Sequence, residues 1–302
     1  MRRKLTSQKV KVESLLTTVG RFYQAVAREP SGSKLEVLLT YVRLKTKAWF
    51  FGHFPRFTPE RERIFGSTVR FGDYAMFVYM FEEQFVEKIY WVDTPNRDPL
   101  ILDCGANVGM SILFFKRYYP DCKIIAFEPD PTIFDLLRTN LETNGVTGVE
   151  LHNKAVALTE GELVLSVDPG RPSGVHSTVV SVSEDRRNVT VGAVKLSEYF
   201  DRADIVKLDI EGAELQVLQE LTNSGKLANV LQMILEYHHH LLDNKKSVLG
   251  EFLSILEANG WTYHVSSNRI NWSPQPRSQD MLIHAYQPGA AGGWSPPDGP
   301  GD

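Results

Sequence analysis

Leu100-Ile101-Leu102-Asp103-Cys104-Gly105-Ala106-Asn107-Val108-Gly109 decides how this chain is read. An apolar run ends in an acid and two glycines four positions apart, and helical spacing begins after them. A second apolar run, Lys123-Ile124-Ile125-Ala126-Phe127, ends in Glu128-Pro129-Asp130, with Glu128 25 positions beyond Asp103. Strand, tight turn, helix, strand and acid, in that order, describe an α/β sheet with a ligand cradle at the carboxyl edge of its strands. Gly105 and Gly109 let the backbone approach a ligand closely. A helix starting near Val108 points its free N–H groups at an anion. A carboxylate at Glu128 can accept both hydroxyls of a ribose.

The Gly-x-x-x-Gly spacing is not the Gly-x-Gly-x-x-Gly of dinucleotide folds, and no Gly-Lys-Ser/Thr follows it. A pyrophosphate therefore has no seat, which argues against a dinucleotide-dependent oxidoreductase. A small ligand with a ribose and one carboxylate fits better, and S-adenosylmethionine is such a ligand. The plainer alternative is a glycine-rich strand–helix turn that holds nothing.

The chain has 302 residues, 42% of them hydrophobic and 23% charged. That suits one large α/β domain with an extension, or two small domains. No apolar run reaches the ~18–20 residues needed to cross a bilayer, and no apolar segment of the signal-peptide kind follows Met1-Arg2-Arg3-Lys4. A cytoplasmic location, with or without contact to a membrane surface, is the expectation. Cys104 and Cys122 suit buried small-residue positions better than a bridge. Charge is uneven: residues 1–50 hold 11 Lys/Arg against 3 Asp/Glu, while the whole chain carries −4. A basic arm on an acidic body can touch anionic lipid, nucleic acid or the body itself, although a solvated helical face is the commonest origin of such a pattern.

Working outward, residues 8–28 and 34–51 show helical spacing on either side of Glu29-Pro30-Ser31-Gly32-Ser33, which predicts a helical hairpin. Its apolar stripe in the second helix, Leu35, Leu38, Leu39 and Val42, is expected to pack inward. The pair is a candidate for self-association as a homodimer. Its aromatic end, with Phe54 and Phe57, is a candidate for peripheral membrane contact. Residues 62–74 read as short strands about a glycine turn and 75–92 as helix. Beyond the second strand come a helix near 131–144 and a strand at 149–154. Alternation about Glu160-Gly161 predicts a hairpin over 157–167, with further short strands near 178–182 and 188–194. Such an insert at a ligand edge tends to form a lid or substrate wall. Alternation then resumes with a strand at 204–209, a helix at 212–222, a strand at 231–236 and a helix at 246–259. Two last strands near 261–266 and 279–286 are expected as an antiparallel edge pair, and the Gly/Pro-rich tail as disordered. The division is thus 1–60 helical extension, 61–287 catalytic domain and 288–302 tail.

Val206-Lys207-Leu208-Asp209-Ile210-Glu211-Gly212-Ala213-Glu214 is the second informative segment. Lys207 and Asp209 share a strand face, and buried charges are expected to be paired. Glu211 and Glu214 fall at a helix start, where the dipole favours anions. Asp209, at a strand's carboxyl end, is a candidate for chemistry. Glu236-Tyr237-His238-His239-His240 closes the next strand. Glu236 and His238 share a face, His238 titrates near neutrality as a general base does, and Asp209, Glu236 and His238 form a candidate ligand set for a divalent metal. His239 and His240 are expected to face solvent.

Together, Asp103–Gly109, Phe127-Glu128-Pro129-Asp130, Asn153-Lys154-Ala155-Val156 and Lys207–Glu214 resemble the FkbM-type S-adenosylmethionine-dependent methyltransferases, over about residues 62–265. The resemblance implies a Rossmann-like sheet of seven strands, mostly parallel with a reversed last strand, and O-methylation of sugar or polyketide hydroxyls. It implies that Asp103, Gly105, Asn107 and Gly109 hold the methionine part of the cofactor, with Ala106 and Ser111 beside them. Glu128 would hold the ribose with Pro129 beside it in the cofactor site, Asn153-Lys154-Ala155 would lie near the adenine, and Asp209 beside the sulfonium. Cys104 departs from the plain aliphatic residue more usual there.

Methyl transfer to an alcohol needs an aligned oxygen and a group to take one proton. Asp209, Glu211 and His238 are the candidates, with His238 favoured for the proton. The expected acceptor is a hydroxyl on a small molecule or glycan. The alternatives are a non-catalytic cofactor-binding module and an enzyme acting on a macromolecule. No Asn/Asp-Pro-Pro-Tyr/Phe signature is present, which disfavours nucleic acid.

Overall fold

The computed structural model describes residues 34–167, 187–238, 248–267 and 281–288. At its centre is a seven-stranded sheet made of β3 (Leu100–Cys104), β4 (Lys123–Phe127), β5 (Val149–His152), β9 (Ala203–Leu208), β10 (Val230–Tyr237), β11 (Thr262–Ser267) and β12 (Met281–Tyr286). The spatial order is β11-β12-β10-β9-β3-β4-β5. Pairing is parallel from β10 through β5, and β12 runs antiparallel to both its neighbours. The chain is therefore a Rossmann-like α/β fold with a reversed last strand. The unbroken apolar runs are explained by position: every residue of β9 is buried, because a central parallel strand is covered on both faces. The order reverses between β3 and β9, and at such a switch point the carboxyl ends diverge and leave a crevice.

Helices α3 (Met110–Tyr118), α4 (Pro131–Thr143), α5 (Glu214–Asn223) and α6 (Leu249–Ala258) follow β3, β4, β9 and β10. Helix α4 starts on Pro131 with the Asp130 carboxylate accepting from the Thr132 and Ile133 amides, a sound N-terminal cap. Cys104 and Cys122 are buried free thiols.

The last two strands form an antiparallel pair at the sheet edge, as expected, with β12 between β10 and β11. Three expectations are corrected. The hairpin about Glu160-Gly161 does not form. β6 (Ala155–Val156) and β7 (Gly161–Val167) flank β8 (Arg187–Val194), which meets β7 over seven positions and β6 over two. The ladder to β8 is longer than any that β6 can offer β7, and it wins. The helix expected over 75–92 is α2 (Tyr74–Phe81), running into a π-helical turn at Glu82–Val86. Lys88, at φ +55°, ends it.

The third correction concerns α1 (Lys34–His53). The face turned inward is Val37, Tyr41 and Leu44, which join the core with Phe81 and Phe85, while Leu35, Leu39 and Val42 are exposed. Polar contacts set the rotation. The Tyr41 hydroxyl donates to Glu82 (3.0 Å), Lys45 pairs with Glu82 (3.1 Å), and Arg43 and Lys47 both pair with Glu62 (2.7 Å each). The expected helix at 8–28, the strand near 178–182, His239, His240 and the tail lie outside the described residues. Among the described residues no helix is long and apolar enough to cross a membrane.

Candidate active site

Gly105, at φ +86°, turns the chain off the end of β3 so tightly that a Cβ there would sit 1.9 Å from the Asp209 carbonyl oxygen. The ends of β3 and β9 are thereby held in contact, and only glycine fits. The Gly105 and Ala106 amides both donate to the Phe127 carbonyl (2.9 Å each), which ties the turn to β4. Asn107, at φ +49°, donates its amide to Glu128 Oε2 (2.9 Å), and its side chain accepts from the Val108 amide (2.8 Å). Those two amides are thus already used, and do not stand free for an anion as the sequence suggested. Glu128 Oε1 accepts from the Asp130 amide (2.9 Å).

Between these turns lies a cleft that opens to solvent. Gly105, Asn107, Glu128, Pro129, Ala155, Asp209 and Glu211 line it, as the sequence anticipated. So do Phe127, Ile133, Lys154, Val156, Leu165, Ile210 and Ala213. Of these Lys154 is a residue expected near the adenine, Phe127, Val156, Ile210 and Ala213 stand inside the quoted motifs, and Leu165 comes from the insert expected to form a wall. Asp103, Ala106, Gly109, Ser111 and Asn153 are not on the wall. Gly109 closes the turn against Leu137. The Asn153 side chain donates to the carbonyls of Glu128 (2.9 Å) and Pro129 (3.0 Å), bracing the loop that carries Glu128.

Asp103 is turned inward rather than toward the cleft. It is 0% exposed, faces Lys207 across the β3–β9 ladder at 3.1 Å, and accepts from the Ser111 hydroxyl at 2.6 Å. Lys207 also donates to the carbonyls of Gly105 (2.9 Å) and Cys104 (3.3 Å) and lies 3.6 Å from Asp209. Burial works against its charge, but Asp103 and Asp209 outweigh that and raise its pKa. Asp103 and Ser111 therefore position the turn from beneath. Tyr90, which no sequence pattern flagged, donates its hydroxyl to Asp209 Oδ2 at 3.2 Å. Burial and the nearby Asp209 and Glu236 push its pKa up, so it stays a donor.

His238 is 5% exposed and off the cleft wall. Its Nδ1 meets Glu214 at 2.8 Å, and its Nε2 lies 3.6 Å from Glu211 and 3.8 Å from Asp209. Burial lowers the ring's pKa, yet Glu211, Glu214 and Glu236 more than offset it, and the pKa stands well above its ordinary value. The carboxylates around the ring thus favour positive charge at that point. Glu214 also takes the Gly212 amide on both its oxygens (3.1 and 3.0 Å). The set of groups at metal-ligand distances among the described residues is Asp209, Glu211 and His238. Glu211 takes the place expected for Glu236, because its left-handed backbone (φ +56°) swings it toward the histidine.

A family model described as the methyltransferase FkbM domain matches residues 103–263, which spans both strand-end motifs. The chain belongs to the FkbM methyltransferase family. Among curated relatives, Methyltransferase 1 of Beauveria bassiana is 28% identical over 234 residues, covering 68% of this chain and 88% of that protein. The 31-O-demethyl-FK506 methyltransferase FkbM of Streptomyces tacrolimicus is 23% identical, covering 65% and 86%. The hexuronic acid methyltransferase AglP of Haloferax volcanii is 26% identical over 147 residues, covering 49% and 59%.

Proposed function

We propose that this protein transfers the methyl group of S-adenosylmethionine to a hydroxyl of a sugar, glycan or polyketide-like small molecule. The observation that carries the reading is one cleft lined both by Glu128 and by the Asp209–Glu211 loop. Glu128 suits a ribose diol. Phe127, Ile133, Ala155, Val156 and Leu165 offer an apolar slot for a flat base. The relatives named for a hexuronic acid and for an oxygen of FK506 support an oxygen acceptor.

The chemistry is an in-line displacement. The acceptor oxygen forms a bond to the methyl carbon as the S–C bond breaks. The electron pair of that bond stays on sulfur, which becomes a neutral thioether. The hydroxyl proton passes to a cleft carboxylate, Glu211 or Asp209. Alignment of the two reactants supplies up to ~7–11 kcal/mol of the barrier, and the base a further ~10²–10⁴-fold in rate.

The test is transfer of isotope-labelled methyl from the donor to panels of uronic acids, oligosaccharides and macrolides, with products read by mass spectrometry. An alkali-stable methyl ether is the expected product. Alkali-labile ester or methylamine products across the panels, or methylation of added protein and RNA alone, would overturn the hydroxyl assignment.

A further inference from the structure

Asp209 and Glu211, on the loop after β9, and His238, at the end of β10, each bring one donor atom to a common point, all within 4.8 Å of one another. The spacing at His238 is informative. Charge-assisted N–H···O contacts close to about 2.7–2.9 Å, and the Nδ1 contact to Glu214 does so at 2.8 Å. The Nε2 distances, 3.6 Å to Glu211 Oε2 and 3.8 Å to Asp209 Oδ1, do not. They match the spacing of ligands that share one ion: bonds of about 2.0–2.2 Å put neighbouring donor atoms roughly 3 Å apart and opposed ones about 4 Å apart. A histidine that binds a metal typically gives its other ring N–H to a carboxylate, and here Glu214 takes that role. Asp209 and Glu211 are each 24% exposed and line the cleft, while His238 is buried behind them. The set thus closes one side of an ion site and opens the other toward the space where an acceptor must lie.

We propose that Asp209, Glu211 and His238 bind a divalent cation of the Mg²⁺/Mn²⁺ class at the cleft. Its open positions would take an acceptor with two adjacent oxygens, such as a vicinal diol or a hydroxy acid. Two carboxylates and one imidazole suit an oxygen-preferring ion that tolerates nitrogen. Three protein ligands leave room for the acceptor. Chelation by two oxygens fixes the nucleophile, and coordination makes its proton easier to remove. The acceptor part of this inference rests on the methyl-transfer reading above; the ion site itself does not.

The experiment titrates the full-length protein with Mn²⁺ alone and follows loss of the free-ion signal by electron paramagnetic resonance, with donor binding measured calorimetrically on the same samples. One ion per chain is expected. H238Q and E211Q should each weaken uptake at least ~10-fold, and E214Q by ~10–100-fold through the ring it orients. E236Q should titrate like the parent. Circular dichroism of each variant separates a lost ligand from a lost fold, and E211Q alters a side chain that reaches the cleft rather than the core. No uptake at millimolar Mn²⁺ by protein that binds donor overturns the cation site and leaves the methyl-transfer reading standing. Unchanged uptake by both H238Q and E211Q overturns it as well. Mn²⁺ uptake lost in those variants but without donor binding supports the ion site and overturns the cofactor reading.

Discussion

Replacing Gly105 by alanine tests the construction of the site at its narrowest point. The new Cβ would lie 1.9 Å from the Asp209 carbonyl oxygen and 3.0 Å from its carbonyl carbon. Ordinary contact begins near 3.4 Å, so the ends of β3 and β9 must part by about 1.5 Å. The obstacle is backbone, which cannot swing aside as a side chain does. Placing a Cβ at φ +86° costs about 1–2 kcal/mol, and overpacking about 1–3 kcal/mol more. The sum, ~2–5 kcal/mol, is a large part of the ~5–15 kcal/mol that holds a typical protein folded. Gly145 is the control. It has φ +61° but nothing within 4 Å of its notional Cβ, so alanine there should cost only the ~1–2 kcal/mol of the backbone term. Urea denaturation with linear extrapolation measures both, and calorimetry with S-adenosylmethionine measures binding. The account expects Gly105→Ala to be the less stable of the two and to lose donor affinity, with Gly145→Ala binding normally. Equal stability of the two variants, with donor binding intact in both, would refute the reasoning.

Lys207→Met should destabilise by about 3–5 kcal/mol in urea, because it leaves the Asp103 carboxylate fully buried without its cation; adding Asp103→Asn to it should recover part of the loss. Asn140→Ala removes three hydrogen bonds that join α4 to the β1–β2 ribbon (Arg61–Ile64 and Ser67–Arg70) and to the turn, those of its side chain with Arg70 N, Arg70 O and Val108 O at 2.8–2.9 Å. Leaving such groups unpaired costs ~1–3 kcal/mol, so the melting temperature should fall and amide exchange in the ribbon should quicken. Burial opposes ionisation of Glu62, but hydrogen bonds from Lys47, the Arg63 amide and Arg43 outweigh it and hold its pKa below the ordinary 4.5. Its folded-state pKa is depressed, so its contribution is present above pH 4.5 and is lost as pH falls through the lower folded value. Glu62→Gln should therefore be less stable than the parent at neutral pH, with the gap closing in acid; a gap that stays constant from pH 7 to acid contradicts this.

What the sequence made legible was local. Asp103, the turn after it and Glu128 lie on consecutive strands, so order and spacing alone pointed to a cradle at the carboxyl edge of the strands and to about half of the cleft wall. Asp209 and Glu211 were found because a strand end is visible from its neighbours. The failures each turn on a partner far along the chain. Asp103 looked like a ligand contact, but Lys207, 104 positions away and in register with it, draws it inward. Tyr90 has no motif and reaches Asp209 from a segment outside the sheet. The protonation of His238 depends on Glu211 and Glu214, which arrive from a different strand end. The rotation of α1 was misread because its apolar residues occupy both faces, and the choice between them falls to Glu62 and Glu82 beneath it.

The central claim is that the turn at Gly105–Asn107 and the Glu128 carboxylate together grip an adenosyl donor. Isothermal titration of the full-length protein with S-adenosylmethionine, beside Glu128→Ala, tests it most directly. The account predicts one site per chain in the parent and an affinity lower by roughly 10–100-fold in the variant, the loss of hydrogen bonds to a charged group worth ~1.5–3 kcal/mol. No heat of binding from folded parent protein at millimolar donor, or equal affinity in the variant, would contradict it.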